Sequence, residues 1–139
     1  MRPQFSIILC TLGKVDQWAL TIESVLAQSF IDFEIIAIDS GPKSASEPVI
    51  NKLNDPRIKY VNAEGKDPRL NWDLGYRNAT GQYLMWVDDD NYLLPFEFSE
   101  LIKLIRDTGA DVVSGDHIHW QDQYHPVIKY RNTDRKSVV

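Results

Sequence analysis

The sequence predicts an α/β fold in which a mostly parallel sheet carries helices on both faces. Three observations support this prediction. Short apolar runs rich in β-branched residues alternate with longer segments whose apolar residues recur every three or four positions. The short runs are typical of strands buried on both faces, and the longer segments are typical of amphipathic helices. Glycine and proline separate the two kinds of segment, and alternation of this kind indicates a parallel sheet.

The first half of the chain contains two strands and two helices. Both strands are short and mostly apolar, and Ser-Gly-Pro ends the second with residues typical of a turn. The first helix has a clear apolar stripe, and Asp16 is expected to cap its N-terminus. Pro48 is expected near the first turn of the second helix, where its missing N–H has no intrahelical partner. These elements are strand 5–11, helix 16–30, strand 33–39 and helix 44–54.

The second half continues the alternation with more polar elements. Gly81 is expected to end the third helix. Trp86 lies inside the fourth strand, where we expect it to belong to the core. Pro95 and Gly109 mark the start and the end of the fourth helix. These elements are strand 57–63, helix 70–79, strand 82–88, helix 95–108 and strand 110–120.

Composition and charge narrow the class of protein. A chain of 139 residues fits one domain, residues 1–139, of which about 126–139 form a basic polar segment expected to be a disordered tail. The net charge of −5 argues against a nucleic-acid surface, which would be basic, and leaves a homo-oligomer open. No apolar run approaches the ~20 residues that span a bilayer. The single Cys10 fits a reducing cytoplasm.

Three consecutive aspartates, Asp88, Asp89 and Asp90, follow the fourth predicted strand directly. Ionised carboxylates repel one another, so crowding them at a strand end is costly unless a cation lies among them. Carboxylate oxygens suit Mg²⁺ or Mn²⁺, and Mg²⁺ typically combines one or two carboxylates with phosphate oxygens and water. The triplet therefore indicates a metal site for a diphosphate. The alternative is a solvated acidic turn, or aspartates that cap the next helix.

Polar residues also end the first two predicted strands. Thr11 ends the first strand, and Asp39 and Ser40 end the second. In open α/β sheets ligands bind outside the carboxyl ends of the strands, so we expect these residues to face the same crevice as the aspartate triplet. Asp39 before Ser-Gly-Pro is also an ordinary turn residue.

Two blocks of the sequence resemble family 2 glycosyltransferases with the GT-A fold. "SVLAQSFIDFEIIAIDSGP" is similar to the family's Ser-x-Leu-x-Gln-Ser/Thr-Phe and its Glu-Ile-Ile-Val-Val-Asp-Asp-Gly-Ser. "ATGQYLMWVDDDNYLLP" is similar to Ala-Thr-Gly-Glu-Tyr-Ile-x-Phe-Leu-Asp-x-Asp-Asp-x-x-x-Pro. The resemblance covers nearly the whole chain. It implies a Rossmann-like nucleotide-binding domain and a metal-dependent, inverting transfer of a sugar from a UDP-, dTDP- or GDP-sugar. The cofactor would be Mn²⁺ or Mg²⁺, and the acceptor would be a molecule such as a polysaccharide or a glycolipid.

The resemblance also implies roles for individual residues. Thr11 lies where the family lines the nucleotide pocket, and Asp39 matches the aspartate that helps to hold the base or ribose. Asp88 and Asp90 match the two ends of the Asp-x-Asp motif. Asp90 is then the metal ligand, and Asp88 faces the ribose or the water shell of the metal. Asp89 is the alternative if the register is shifted by one residue.

The chain departs from the family pattern within the donor site. Ser40 replaces a common second aspartate that can contact uracil, which leaves the donor nucleotide open. Leu12 and Gly13 stand where the family often has Tyr and Asn. Arg69 is the candidate for the diphosphate contact that a family arginine would make.

The catalytic base and the cellular location follow less directly from the sequence. An inverting transfer needs a carboxylate that takes the proton of the acceptor hydroxyl, and the family normally supplies it beyond this point. Asp116 is a weak candidate, and Asp122 is another. A truncated enzyme, or a donor-binding module without turnover, is therefore the alternative. A nucleotidyltransferase would instead carry a Gly-rich basic loop after the first strand. We expect a cytoplasmic protein, with peripheral attachment at the inner face of the membrane as the other location.

Overall fold

A computed structural model describes residues 2–115, 117–120 and 126–129, the last two ranges by their backbone alone. The chain divides into two compact units, Met1–Pro95 and Phe96–Val139. The first unit contains a parallel sheet and three α-helices, and the second contains one α-helix and a strand pair. The predicted organisation as one domain stays a prediction.

The first unit is built around a four-stranded sheet with the strand order β3-β2-β1-β4. All three strand pairs are parallel, which confirms the predicted α/β class. The chain progresses outwards from β1 to β3 and then crosses back to place β4 on the other side of β1. The elements are β1 (Phe5–Thr11), α1 (Val15–Leu26), β2 (Phe33–Asp39), α2 (Lys43–Leu53), β3 (Ile58–Asn62), a 3-10 helix (Pro68–Leu70), α3 (Asn71–Asn78) and β4 (Tyr83–Asp88).

Helices cover both faces of this sheet. On one face, Ile8 of β1 and Val61 of β3 pack in a cluster with Leu74 of α3. Tyr60, the neighbour of Val61 in β3, points to the opposite face because side chains alternate along a strand. There its hydroxyl lies 2.7 Å from the hydroxyl of Ser46 in α2. Helix α1 lies beside α2 on this second face, so the predicted arrangement is confirmed.

Gly81 has a different role from the one predicted. Helix α3 ends at Asn78 with Ala79 as its C-cap residue, so Gly81 does not end it. A Cβ atom at Gly81 would lie 2.5 Å from the backbone nitrogen of Ser6. The Gly81 N–H donates to the Ser6 hydroxyl at 2.7 Å, and that hydroxyl donates to the Glu34 carboxylate at 2.5 Å. Glycine is therefore needed here for a close approach between the start of β4 and β1.

Two helix starts differ from their predictions. Helix α1 begins at Val15 with Lys14 as its N-cap residue, and no side chain caps it. Asp16 lies inside the first turn, where a carboxylate still interacts favourably with the helix dipole. Helix α2 begins at Lys43, which places Pro48 in the second turn rather than the first. Both helices start earlier than predicted because backbone geometry after the strand, and not a capping side chain, starts them.

Trp86 is not in the core. Its side chain is 37% exposed, and it stacks on Trp72 of α3 with ring centroids 4.3 Å apart and an angle of 25° between the planes. Trp86 lies on β4, which is the last strand of the sheet among the described residues. One face of a terminal strand is covered by fewer neighbours than a central strand, so an apolar strand residue there stays partly exposed.

The second unit contains α4 (Glu97–Thr108) and an antiparallel pair, β5 (His117–Trp120) and β6 (Pro126–Lys129). The predicted end of α4 is confirmed, because Gly109 is its C-cap residue with a φ angle of 64°. The predicted fifth parallel strand over 110–120 is wrong. Residues 110–115 are not a strand, and β5 pairs with β6 as neighbouring strands joined by a short connection do.

The predicted tail overlaps β6 at Pro126–Lys129, and its remaining residues, 130–139, lie outside the described residues, so the tail stays a prediction. Asp116 and Asp122, the two candidates for the catalytic base, lie outside the described residues as well. None of the helices that the structure describes has the length and apolar character required to cross a membrane.

Candidate functional site

The carboxyl ends of the parallel strands bring the predicted site residues to one edge of the sheet. In the strand registers Thr11 lies opposite Asp39, and Cys10 lies opposite Asp88. The chain leaves β1 towards β2 on one side and returns to β4 on the other side. The point where strand order reverses in this way is the usual ligand-binding crevice of open α/β sheets, and here it lies between β1 and β4.

Thr11 connects the end of β1 to the acidic loop, which we define as residues 89–94. Its hydroxyl donates to the Asp89 carboxylate at 2.7 Å and accepts the backbone N–H of Lys14 at 3.2 Å. The Lys14 ammonium lies 3.8 Å from the other oxygen of Asp89. Asp89 is therefore the aspartate of the triplet that the fold holds in place.

Asp88 and Asp90 are arranged differently from Asp89. Both side chains are exposed, and neither carboxylate forms a hydrogen bond or an ion pair with any other described residue, although the backbone carbonyl of Asp88 accepts the N–H of Asn91 at 3.3 Å. No group of three or more His, Cys, Asp or Glu side chains is gathered as a metal cage in the part of the chain that the structure describes. Two free carboxylates fit a cation such as Mg²⁺ or Mn²⁺, which completes its coordination with water and phosphate oxygens. The residues present therefore fit the metal that the resemblance implies.

The electrostatic potential at the carboxyl edge of the sheet is negative. Burial raises the pKa of the Cys10 thiol, and the charges of Asp88 and Asp89 raise it further, to about 11. Cys10 therefore stays a neutral thiol at physiological pH, and a neutral thiol is a poor nucleophile. The same charges that hold the proton on Cys10 attract a cation to the exposed carboxylates.

Asp39 is completely buried and joins two loops. Its Oδ1 atom accepts the backbone N–H of Gly41 at 2.7 Å and that of Gly13 at 3.1 Å. Its Oδ2 atom is buried and has no hydrogen-bond partner among the described residues. A Cβ atom at Gly41 would lie 2.7 Å from the Gly13 backbone, so the loops after β1 and β2 touch directly over Asp39. Asp39 thus offers one unused acceptor next to the crevice.

The side chains of Ser40 and Arg69, the two other predicted donor-binding residues, already have partners within the chain. The Ser40 hydroxyl donates to the Asn71 side chain at 2.9 Å, and both residues are buried. Arg69 forms an ion pair with Asp67 at 2.6 Å, and its side chain is 89% exposed. Asp67 caps the 3-10 helix by accepting the Arg69 N–H, so this pair is local. Arg69 makes no contact with Asp88–Asp90 among the described residues, and its predicted diphosphate contact stays a prediction.

The acidic loop is held against α1 by polar side chains of that helix. The Thr21 hydroxyl lies 3.0 Å from the carbonyl of Asp89 and 2.7 Å from that of Asn91. The Ser24 hydroxyl accepts the N–H of Leu93 at 3.1 Å. These contacts satisfy backbone groups of a loop that has no secondary structure of its own.

Gln28 completes this set one turn further along the chain. Its amide nitrogen donates to the carbonyl of Leu94 at 2.6 Å and to that of Ser24 at 3.3 Å. Thr21 and Ser24 lie in α1, and Gln28 lies two residues beyond its end. The three residues are spaced by three and four positions, so their side chains lie on the same side of the helix axis. We name them the α1 polar row.

The sequence analysis missed the α1 polar row, Lys14 and Asn71. A signal for the row was available, because three polar residues interrupt the apolar face of a buried amphipathic helix at helical spacing. Buried polar residues usually have a hydrogen-bond partner, so such a row indicates that an irregular segment packs there. No comparable signal marks Lys14 or Asn71, because each lies in a polar stretch of the chain.

Replacing Gln28 by alanine is expected to lower the free energy of unfolding by about 1–2 kcal/mol, because the Leu94 carbonyl loses its buried partner. Urea denaturation followed by circular dichroism measures the change. Gln17→Ala, on an exposed position of the same helix, is the matched control and should change stability by less than about 0.5 kcal/mol. Equal effects of the two substitutions would contradict the role of the row.

The comparisons with known proteins agree with this geometry. The family model described as "Glycosyl transferase family 2" matches residues 6–137, nearly the whole chain. The chain belongs to glycosyl transferase family 2. The resemblance described from the sequence motifs is thereby confirmed.

Curated relatives resemble the chain in sequence, and solved structures resemble it in fold. It is 32% identical over 114 residues, 79% of its length, to a GalNAc(5)-diNAcBac-PP-undecaprenol beta-1,3-glucosyltransferase of Campylobacter jejuni. Residues 1–349 of S. aureus TarS in complex with UDP-GlcNAc share its fold with a TM-score of 0.69 and 21% identity over 79% of the chain. A mannosyltransferase of Pyrobaculum calidifontis in complex with GDP-Man and Mn²⁺ does so with a TM-score of 0.70 and 17% identity over 82% of the chain.

The chain is much shorter than these proteins. It spans 15%, 14% and 37% of the length of the first three curated relatives that it matches. It spans 34% of the TarS chain determined with UDP and 35% of the mannosyltransferase chain.

Proposed function

We propose that this chain binds the nucleotide-sugar donor of a family 2 glycosyltransferase and takes part in an inverting sugar transfer that depends on Mn²⁺ or Mg²⁺. The observation that carries the proposal is the meeting of Thr11, Asp39 and Asp89 at the switch point of the parallel sheet. The ligands named in the two solved complexes, UDP-GlcNAc and GDP-Man, support a donor of this chemical class.

The donor nucleotide is assigned to the part of the crevice near Asp39. The unused Oδ2 atom of Asp39 is the proposed acceptor for an N–H of the base or for a ribose hydroxyl. A buried carboxylate oxygen without a partner is unfavourable, so this bond lowers the free energy of the complex. UDP-, dTDP- and GDP-sugars all carry such donors, and the proposal includes each of them.

The diphosphate is assigned to the acidic loop. Asp90 and Asp88 are the proposed ligands of the divalent cation because both carboxylates are exposed and unpaired with the described residues. When bound, the cation supplies positive charge that offsets the charge developing on the leaving diphosphate. Thr11 holds Asp89 by a hydrogen bond, and the α1 polar row holds the loop backbone, so the backbone that carries Asp90 is held in place before the donor arrives.

Inversion requires an acceptor hydroxyl that attacks the anomeric carbon from the side opposite the diphosphate while a carboxylate takes its proton. Asp116 is retained as a weak proposal for that base. The acceptor is proposed to be a polysaccharide or a glycolipid, in line with the lipid-linked saccharide named for the Campylobacter relative. A cytoplasmic location, with peripheral attachment to the inner face of the membrane, belongs to the same proposal.

Calorimetric titration with UDP, dTDP and GDP, each with and without Mn²⁺, tests the donor site. At least one nucleotide is expected to bind about tenfold or more tightly with Mn²⁺, and Asp90→Ala should remove that gain. Asp107→Ala, in the last turn of α4, is the matched control and should leave binding unchanged. Equal binding by the native chain and Asp90→Ala would remove the metal from the proposal.

A transfer assay separates an enzyme from a donor-binding module. Release of nucleoside diphosphate from UDP- or GDP-sugars in the presence of Mn²⁺ indicates turnover by the chain itself. Metal-dependent binding without any release favours the alternative, a donor-binding part that does not turn over on its own.

A further inference from the structure

Lys14 lies between the end of β1 and the start of α1, and it has no part in the function described so far. Its ammonium is 3.8 Å from Asp89, and its side chain is 59% exposed. The same residue is the N-cap of α1 and donates its backbone N–H to Thr11. We infer that Lys14 is the cation that contacts the donor diphosphate, which is the role that the sequence suggested for Arg69. This inference rests on the proposed function.

The charge of the proposed complex requires such a cation. Three aspartates and a diphosphate bring about five negative charges to one loop, and a single divalent cation leaves more than half of them uncompensated. An ammonium group at this point adds the missing positive charge next to both the loop and the diphosphate.

Three other basic side chains of the first unit are engaged elsewhere. Among the described residues, Lys14 alone forms an ion pair with an aspartate of the triplet. Arg69 and Arg77 pair with Asp67 and Asp73 on exposed surface. Lys59 pairs with Glu34, a residue of the network that reaches Gly81 at the start of β4. Lys14 is therefore the basic residue that the fold places at the switch point.

Lys14 is also free to change partners. The Lys14 side chain is mostly exposed, and its ammonium lies 3.8 Å from Asp89, which is longer than a direct hydrogen bond, so the lysine can leave Asp89 without breaking one. Asp89 keeps its hydrogen bond from Thr11 when the lysine leaves. A flexible lysine can thus neutralise Asp89 in the empty site and move to the diphosphate when a donor binds.

The N-terminus of α1 is a second feature that favours binding of an anion. This helix has 12 residues, and no side chain caps its N-terminus. First-turn N–H groups and the positive end of the helix dipole attract phosphate oxygens. Lys14 and the helix start therefore act on the same place in the crevice.

Calorimetric titration of Lys14→Gln and Lys14→Arg tests the inference with the nucleoside diphosphate that binds the native chain, in the presence of Mn²⁺. Lys14→Gln is expected to weaken binding of the nucleoside diphosphate about tenfold and binding of the matching monophosphate by less than about threefold. Lys14→Arg keeps the positive charge and should restore most of the lost affinity. Titration with Mn²⁺ alone should show equal or tighter binding to Lys14→Gln, because Asp89 loses its competing cation. Lys52→Gln, in the last turn of α2, is the control.

The outcomes separate this inference from the proposed function. A native chain that binds no nucleoside diphosphate overturns both. Binding by the native chain with an unchanged diphosphate affinity in Lys14→Gln overturns the role of Lys14 alone, and so does an equal loss for diphosphate and monophosphate. Melting temperatures by circular dichroism check that the variants fold, and the exposed position of Lys14 leads us to expect no change.

Discussion

Replacement of Glu34 by glutamine is expected to lower the free energy of unfolding by about 2 kcal/mol at pH 7. Glu34 is 6% exposed, and its carboxylate accepts hydrogen bonds from Ser6 and from both the N–H and the hydroxyl of Thr80. Its second oxygen lies 2.5 Å from the Lys59 ammonium. Burial by itself would raise the pKa of Glu34, but the bonds from Lys59, Ser6 and Thr80 outweigh it and lower the pKa to about 2.

The effect of this substitution depends on pH in a defined direction. Because the folded-state pKa is about 2 and the ordinary value is 4.5, the stabilisation is complete above about pH 4.5 and is lost as the pH falls towards 2. The full shift corresponds to about 3.4 kcal/mol, which we reduce to about 2 because Lys59 is half exposed and screened by solvent. The difference between native chain and variant should therefore shrink below pH 4.5.

Urea denaturation of the native chain and of Glu34→Gln between pH 3 and pH 7 measures this difference. Glu47→Gln is the matched control, because Glu47 pairs with Lys43 on the surface of α2 and should contribute less than about 0.5 kcal/mol at any pH. If the difference in free energy of unfolding between the native chain and Glu34→Gln stays constant down to pH 3, the charge of the carboxylate is not the source of the stabilisation.

Replacement of Gly41 by alanine is expected to weaken binding of the nucleoside diphosphate about tenfold or more and to lower the free energy of unfolding by about 1–3 kcal/mol. The added Cβ would lie 2.7 Å from the Gly13 backbone, so the loop after β1 must move. That movement breaks the hydrogen bond from Gly13 to Asp39 and displaces the neighbouring Lys14. Calorimetry gives the binding change, and urea denaturation gives the stability change.

Gly109→Ala serves as the control for this substitution. Gly109 has a positive φ angle of 64°, and a Cβ atom there meets nothing within 4 Å. The variant should lose about 1 kcal/mol of stability through backbone strain alone, with no change in nucleotide binding. Similar affinities of Gly41→Ala and Gly109→Ala would contradict the importance of the loop contact over Asp39.

The parts of the fold that the sequence predicted well are those with strong local patterns. The bounds of β1 and β2 are as predicted, Phe5–Thr11 and Phe33–Asp39, because a strand buried on both faces is an unbroken apolar run. The end of α4 at Gly109 also follows from a local rule, since glycine adopts the left-handed conformation easily. The predicted strand over 110–120 failed because its apolar residues do not reveal which strand they pair with.

The same distinction applies to the site. Thr11, Asp39 and the aspartate triplet could be predicted because each follows an apolar strand, and parallel strands place their carboxyl ends together. Which aspartate the fold holds could not be predicted. Asp89 is held by Thr11, which is 78 positions away in the chain, and no periodic pattern links two residues so far apart.

By itself, the amino-acid sequence determined the alternation of strands and helices, the family and the edge of the sheet at which ligands bind. It did so because burial of a strand or of a helix face leaves a periodic trace in the order of residues. Only the tertiary structure decided the partners: Asp89 with Lys14, Gln28 with Leu94, and the glycine contact over Asp39. Such pairings depend on how elements distant in the chain pack together, and local periodicity carries no information on that.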